Sequence, residues 1–294
     1  MHKEYASCHL CARSCGVDRY GSSRGFCHSG ADMRICRASL HMWEEPIISG
    51  TNGSGTIFFS GCSLGCIFCQ NREISRSEVG MTVSTDGLAS IALDLEGQGA
   101  HNINFVTPTH FIPSIIETVG LARSRGLSIP IVYNTGSYET VDSVKLLRDT
   151  VDIYLADYKY YRASTAAALS KAPDYPEVAF AAICEMVKQR PAPVINENGI
   201  MQSGVVIRIL LLPGHLAEAK LALSRLYKVF GNNVFYSLMG QYTVMQGMPA
   251  PLDRRVTVSE YRELTDYAER LGITNGFVQD LSSSATDYIP KFTI

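Results

Sequence analysis

Thr56-Ile57-Phe58-Phe59-Ser60-Gly61-Cys62-Ser63-Leu64-Gly65-Cys66-Ile67-Phe68-Cys69 carries a β-branched and aromatic run straight into a loop with three cysteines in eight residues. The run reads as a buried strand. The loop therefore springs from a strand end, and in parallel sheets and barrels that is where ligands gather. Gly61 and Gly65 let the backbone turn tightly enough to aim three thiolates inward. A structural zinc site wants four ligands, usually as two separated pairs. Three thiolates instead suit three corners of a four-iron cube whose last iron stays open to an exchangeable ligand. Cys62, Cys66 and Cys69 are thus the candidate metal ligands and the candidate catalytic centre. Phe68, just before the last of them, offers a flat face to a purine. The plainer alternative is three buried cysteines in a glycine-rich turn.

Outward from this loop, short apolar runs alternate with helical patterns. Strands are expected at 102–106, 129–133, 151–155, 205–211 and 234–238, with a further short one at 275–279. Helices are expected at 85–97, 112–125, 139–148, 175–189, 216–230 and 258–271. Apolar runs separated by amphipathic helices predict parallel strands joined by right-handed crossovers. Counting the cysteine-loop strand, they make six β/α units, too few to close an eightfold barrel. The expected fold class is α/β, a partial (β/α)6 barrel of parallel strands open on one side, with a small N-terminal cysteine-rich metal-binding appendage. The division falls between residues 1–50 and 51–294, because the first fifty residues hold five of the nine cysteines and little apolar periodicity.

With 294 residues and 46% hydrophobic content the chain can bury a sizeable core. Its 26 basic and 28 acidic residues leave a net charge of −2, and no basic run suggests nucleic acid as a partner. No stretch approaches the roughly 18 apolar residues of a membrane span. The polar start, Met1-His2-Lys3-Glu4-Tyr5, does not read as a signal peptide. Without a secretory signal, nine cysteines favour reduced thiols and metal over disulfides, so a cytoplasmic, oxygen-sensitive protein is expected.

A second ligand set lies near the start: Cys8-x2-Cys11-x3-Cys15, then eleven residues and Cys27. Four thiols can close a zinc site or hold a fully ligated iron–sulfur cluster, and the spacing does not choose between them. His9 and His28 are replacement ligands if one cysteine is not used. Cys36 and Cys184 have no partner at suitable spacing and read as ordinary buried thiols.

The three-cysteine spacing with an aromatic before the last cysteine resembles the radical S-adenosylmethionine superfamily. The order of further segments over roughly residues 54 to 281 is similar to its branch described as pyruvate formate-lyase activating enzyme-like. The N-terminal four-cysteine segment, Asp174-Tyr175-Pro176-Glu177-Val178 and Asn275-Gly276-Phe277-Val278-Gln279 fit that branch as well. The resemblance implies the partial barrel and a [4Fe-4S] cluster whose open iron chelates the amino and carboxylate groups of S-adenosylmethionine. It also implies cleavage of a carbon–sulfur bond to methionine and a 5′-deoxyadenosyl radical.

Carried over by position, Thr107-Pro108-Thr109 stands where the superfamily often has Gly-Gly-Glu for the amino group. The carbonyls of Thr107 and Pro108 remain as acceptors there, while the neighbouring His110 reads more readily as a capping or packing residue. Asn134, in Asn134-Thr135-Gly136, replaces the aspartate of glycyl-radical activases and removes a charge from any monovalent-cation site. Asp157-Tyr158-Lys159 resembles their Asp-Leu-Lys, whose lysine meets the carboxylate end of the cofactor. Alternation puts Asp157 and Lys159 on one face, and a solvated ion pair is the alternative. Arg208 opens a run to Pro213-Gly214 that matches the activases' fifth strand, and a buried arginine needs an anion, either Asp157 or the cofactor. Gln241, in Gly240-Gln241-Tyr242, takes the place of a histidine near the ribose, so Gln241 or Tyr242 is left to bond a hydroxyl.

Together these imply a radical S-adenosylmethionine oxidoreductase, activase-like, taking a glycine Cα hydrogen from a partner glycyl-radical enzyme. A reductant such as flavodoxin or ferredoxin would supply the electron. Two other readings stay open. One keeps the chemistry but directs it at another peptide, a small molecule or RNA. The other is a non-catalytic iron–sulfur binding protein, which the missing Gly-Gly-Glu favours.

Overall fold

In a computed structural model, which describes residues 1–279 and Phe292, the cysteine loop leaves a strand whose six residues are all buried. That strand is β2 (Ser54–Phe59), preceded by β1 (Met33–His41) and followed by β3 (Met81–Val83), β4 (Ile103–Val106), β5 (Ile131–Thr135) and β6 (Ile153–Asp157). Then come β7 (Val194–Ile195), β8 (Met201–Leu210), β9 (Phe235–Met239) and β10 (Gly276–Val278). The sheet runs β10-β9-β8-β6-β5-β4-β2-β1-β3, with β7 against β8. From β2 to β10 every neighbour on the main path is parallel, and helices cross between them in chain order. This is the partial barrel that the alternation predicts.

Side-chain alternation sorts the strands into two faces. Ile57, Phe59, Ile103, Phe105, Ile131, Tyr133, Val205 and Ile207 point outward into the main core, where they meet the helices. Val132, Ile153, Leu155 and Val206 point inward, form a second apolar cluster and are capped by Ile48. Further along the same inward faces stand Asn134, Asp157 and Arg208. The inward apolar residues thus come from β5, β6 and β8, which turn polar towards their ends, while β2 and β4 turn the buried Ser54, Thr56, Asn102 and Asn104 inward.

The helices Thr85–Gly97, Tyr175–Gln189, Leu216–Phe230 and Val258–Leu271 have the limits their periodicity predicts. Ser84 and Thr257 cap two of them, the second with a capping box to Glu260. The helix Ala163–Ser170 and strand β1 were not expected. β1 is antiparallel to both β2 and β3, so the sheet is parallel except at this edge and at β7. Residues 33–41 thus extend the barrel sheet, and the chain after them turns under it: Ser54 and Asn102, at the starts of β2 and β4, are bonded to each other, and Asn102 donates to the Ile48 carbonyl. Among the described residues no helix is long and apolar enough to cross a membrane.

The first thirty residues pack across the cysteine loop. Arg19 lies over the rings of Tyr5 and Phe111 and donates to the carbonyls of His110 and Gly30. His110 is fully buried, with Nε2 2.7 Å from the Ser60 carbonyl, so Nε2 carries the proton. Burial, reinforced by the Arg19 guanidinium, pushes the His110 imidazole from 6.5 to about 3. The unfolded chain therefore binds a proton that the folded chain refuses, and stability is lost as pH falls from 6.5 towards 3, by about 1.4 kcal/mol per unit at most. His110→Gln is expected to flatten this slope in anaerobic denaturant titrations at pH 7 and 5. An unchanged slope would place the acid-sensitive group elsewhere.

Candidate functional site

A cavity of about 250 Å³ opens at the carboxyl ends of the parallel strands. Phe58, Val106, Asn134, Asp157, Arg208 and Met239 line it, each from the last three residues of its strand. The cysteine loop closes one side with Cys66, Phe68 and Cys69, and Lys159, Gln241 and Tyr242 complete the wall. Of the residues that strand ends and the resemblance group together, Cys66, Phe68, Cys69, Asn134, Asp157, Lys159, Arg208 and Gln241 line this one space, and Cys62 is not among its lining.

The polar side is a buried charge network. Arg208 donates through Nε to Asp157 at 2.7 Å, through Nη1 to Glu44 at 3.3 Å and through Nη2 to Asn134 at 2.5 Å. Lys159 donates to the other oxygen of Asp157 at 2.5 Å. The Glu44 carboxylate also accepts from Asn104 at 2.9 Å and Asn134 at 3.2 Å. Burial alone would raise Asp157, but Arg208 and Lys159 outweigh it and hold the carboxyl below its ordinary value. Burial would lower Arg208, yet Asp157, Glu45 and Glu44 keep it firmly charged. Burial would also lower Lys159, and Asp157 reverses that. For Glu44 burial wins over Arg208 and the carboxyl is raised. Asp157 and Lys159 are thus no solvated pair, their side chains being 18% and 19% exposed.

Glu44 was not legible as a site residue. In the sequence, Glu44-Glu45 before Pro46 looks like an exposed acidic pair. The segment approaches from the amino ends of the strands and sends Glu44 up the barrel interior, a placement set by β1 pairing. Glu45 is also buried, and its Oε2 has no hydrogen-bond partner.

The three loop thiols lie within one another's electrostatic reach. Burial, and then the neighbouring thiols, push Cys62 and Cys69 up from their ordinary values. Thiolates so placed need a cation, and iron is one that soft sulfur prefers. Among the described residues no three His, Cys, Asp or Glu side chains close on one point as a single ion's ligands would. In an iron–sulfur cube each thiolate takes a different iron, so its sulfurs stand wider apart. On donor chemistry, the loop fits such a cluster. Gly61, at φ +86°, is required: a Cβ there would stand 2.5 Å from the Cys27 carbonyl oxygen.

Phe68 is buried, with Tyr160 and Tyr242 around its ring at 6.4 and 6.3 Å. The Tyr242 hydroxyl is committed to the Leu252 carbonyl, and Gln241 accepts at its carbonyl from Gln70. Thr107, Pro108 and Thr109 are not among the cavity-lining residues. Thr107 sits at φ +57° with its N–H on the Asn134 carbonyl, and Thr109 donates to the buried Glu139. In the N-terminal set, Cys8, Cys11 and Cys27 are buried and Cys15 is exposed. Burial, with the charges of Cys27, Cys8 and Cys15 behind it, pushes the Cys11 thiol up to about 12. His9 is occupied by Ser14 and Ser7. Cys36 is buried beside Phe58, and Cys184 is half-buried on the helix Tyr175–Gln189.

No known family profile matches the chain. It is 28% identical over 279 residues to an uncharacterized protein of Methanocaldococcus jannaschii, covering 92% of this chain and 76% of that one. Among solved structures it is similar to SuiB of Streptococcus suis, with 13% identity, a TM-score of 0.51, and coverage of 79% of this chain and 50% of SuiB. It is also similar to anSMEcpe with bound S-adenosylmethionine, with 12% identity, a TM-score of 0.50, and coverage of 72% and 59%. The chain spans between half and three-fifths of the length of these solved proteins. SuiB has also been solved bound to S-adenosylmethionine and to the precursor peptide SuiA. At these identities the likeness is one of fold.

Proposed function

We propose that this chain is a radical S-adenosylmethionine enzyme with Cys62, Cys66 and Cys69 as the cluster ligands. The observation that carries the reading is the cavity itself, which sets Cys66, Cys69 and Phe68 opposite Lys159, Asp157 and Arg208. When bound, a [4Fe-4S] cluster supplies one electron at its open iron to the sulfonium, giving methionine and a 5′-deoxyadenosyl radical that takes a hydrogen atom from substrate. The chain's own residues place the cofactor. Phe68 packs by the adenine. Lys159, kept protonated by Asp157, meets the methionine carboxylate. Arg208, already engaged by Asp157 and Glu44, holds the polar wall in place rather than donating a free charge. Gln241 lines the ribose side. Asn134 serves through its bonds to Arg208 and Glu44. Any acceptance of the amino group near Thr107, Pro108 and Thr109 is assigned to the backbone, since the Thr109 hydroxyl is committed to Glu139.

The hydrogen donor is proposed to be a peptide, in the finer reading a glycine of a partner glycyl-radical enzyme, with flavodoxin or ferredoxin as reductant. The peptide-bound SuiB supports the first of these. Cys8, Cys11, Cys15 and Cys27 are proposed to hold a second centre, zinc or iron–sulfur. None of the nine cysteines is paired in a disulfide, which suits a reducing compartment such as the cytoplasm.

Two measurements test the reading. S-adenosylmethionine should alter the electron paramagnetic resonance signal of the reduced cluster, and an unaltered signal at saturating cofactor would overturn it. Lys159→Met should weaken cofactor binding about tenfold, roughly 1.4 kcal/mol, in equilibrium dialysis of cluster-loaded protein. Unchanged affinity would remove Lys159 from the carboxylate. For the donor, a Cα-deuterated glycine peptide should pass deuterium into 5′-deoxyadenosine, and none should appear there if the substrate is of another class.

A further inference from the structure

Each loop sulfur accepts a hydrogen bond, Cys62 from the Leu64 N–H at 3.4 Å and Cys69 from the Ser75 hydroxyl at 3.6 Å, but the bond to Cys66 is the shortest of the three. Ser170, at the end of the helix Ala163–Ser170, donates its hydroxyl to Cys66 Sγ at 3.0 Å. A hydroxyl has one proton, so the 2.6 Å contact between Ser170 and Tyr160 is a bond in which Tyr160 donates to Ser170. Both residues are buried, which shields the chain Tyr160–Ser170–Cys66 from water. Its anchor is Arg13, which lies between Cys11 and Cys15. Arg13 donates to the Ser63 carbonyl in the cysteine loop at 3.0 Å, to the Ser170 carbonyl at 3.1 Å and to the Lys171 carbonyl at 2.5 Å. Its guanidinium lies 3.9 Å over the Phe26 ring. The Ile67 N–H, bonded to the Leu169 carbonyl at 2.9 Å, adds a second tie between loop and helix.

We infer that Ser170 and Arg13 are positioning residues that set the reduction potential of the cluster through the Cys66 sulfur. The inference rests on the reading of Cys62, Cys66 and Cys69 as cluster ligands. Taking up one electron from a reductant makes the cluster more negative. A hydroxyl proton on one of its sulfurs stabilises that added charge and raises the potential. The bond to Ser170 is present only where the helix end is held against the loop, and the Arg13 fork holds it. A lysine ammonium is a compact point on a flexible stem and does not reproduce the planar fork that meets these three carbonyls. The N-terminal cysteine segment therefore reaches the cluster by way of hydrogen bonds, whatever metal its own four thiols hold.

The test is a potentiometric titration, followed by electron paramagnetic resonance, of anaerobically reconstituted full-length protein. The signal followed is the one that Cys66→Ala abolishes, which separates it from any N-terminal centre. Ser170→Ala should keep its iron and sulfide and make reduction roughly tenfold harder, about 59 mV more negative for one electron. Arg13→Lys should shift the potential in the same direction. Tyr160→Phe, which removes only the hydroxyl polarising Ser170, should give a smaller shift of the same sign, and it carries the test if Ser170→Ala fails to hold iron. Wild-type potentials in Ser170→Ala or Tyr160→Phe with full iron would overturn the inference, and a shift in Ser170→Ala but not in Arg13→Lys would overturn the role of Arg13. A wild-type protein with no signal sensitive to Cys66→Ala would instead sink the cluster assignment beneath it.

Discussion

Arg208→Met is expected to lower the stability of the folded chain by about 3–5 kcal/mol. The size follows from what the substitution leaves behind. Asp157 and Glu44 are both bonded to the guanidinium, and Glu45 lies within its field. Without it, Lys159, which is bonded to Asp157, is the cation that these pairs leave in place among the described residues. Buried carboxylates without a partner cost more than the ion pairs contributed, because desolvation is no longer offset. The loss should therefore be partly recovered by Glu44→Gln in the same chain. That change removes one orphaned charge and leaves an amide that can still accept from Asn104. It should also shrink as pH falls, since burial already raises Glu44 and protonation neutralises it. Anaerobic guanidinium unfolding at pH 7 measures both variants. A loss under about 1 kcal/mol for Arg208→Met would mean that water reaches this network and screens it.

Replacing any one of Cys62, Cys66 or Cys69 by alanine should strip the cluster assigned to the loop, whereas Cys184→Ala and Cys36→Ala should leave it intact. Two thiolates cannot hold three corners of a cube, and neither Cys36 nor Cys184 is placed to supply the third: Cys36 packs with Phe58 and Ile74 and bonds the Val79 carbonyl, and Cys184 lies on an outer helix. Iron and acid-labile sulfide, with the visible absorption of the reconstituted protein, read this directly. The N-terminal thiols complicate only the total, so the Cys8→Ala and Cys11→Ala background separates the two contributions. Full iron after loss of a loop cysteine would show that the cluster lies elsewhere.

Much of the barrel could be read because each strand from β2 to β9 on the main path is an apolar run and the longer helices are amphipathic. Their limits follow from local composition: Ser84 and Thr257 as caps, and Gly272 closing the last helix at φ +90°. β1 escaped notice because Arg34 and Arg37 interrupt its apolar residues. Antiparallel pairing at an edge lets such side chains reach solvent or a neighbouring hydroxyl, as Arg37 does with Ser39. The helix Ala163–Ser170 escaped because alanine and serine carry little periodicity. Among the residues lining the cavity, Cys66, Phe68, Cys69, Asp157, Lys159 and Arg208 were legible from the strand ends and the resemblance. Glu44 was not, since nothing local marks a carboxylate whose partners are 60 to 164 residues away. Ser170 was hidden for the same reason, at a separation of 104 residues from Cys66.

The most direct test of the central claim is a turnover measurement. Reconstituted protein, reduced anaerobically with dithionite and given S-adenosylmethionine, should release 5′-deoxyadenosine and methionine in equal amounts. The Cys66→Ala protein, treated alike, should release neither. Absence of 5′-deoxyadenosine from a wild-type protein that holds a reduced cluster and binds the cofactor would contradict the assignment of radical chemistry to this site.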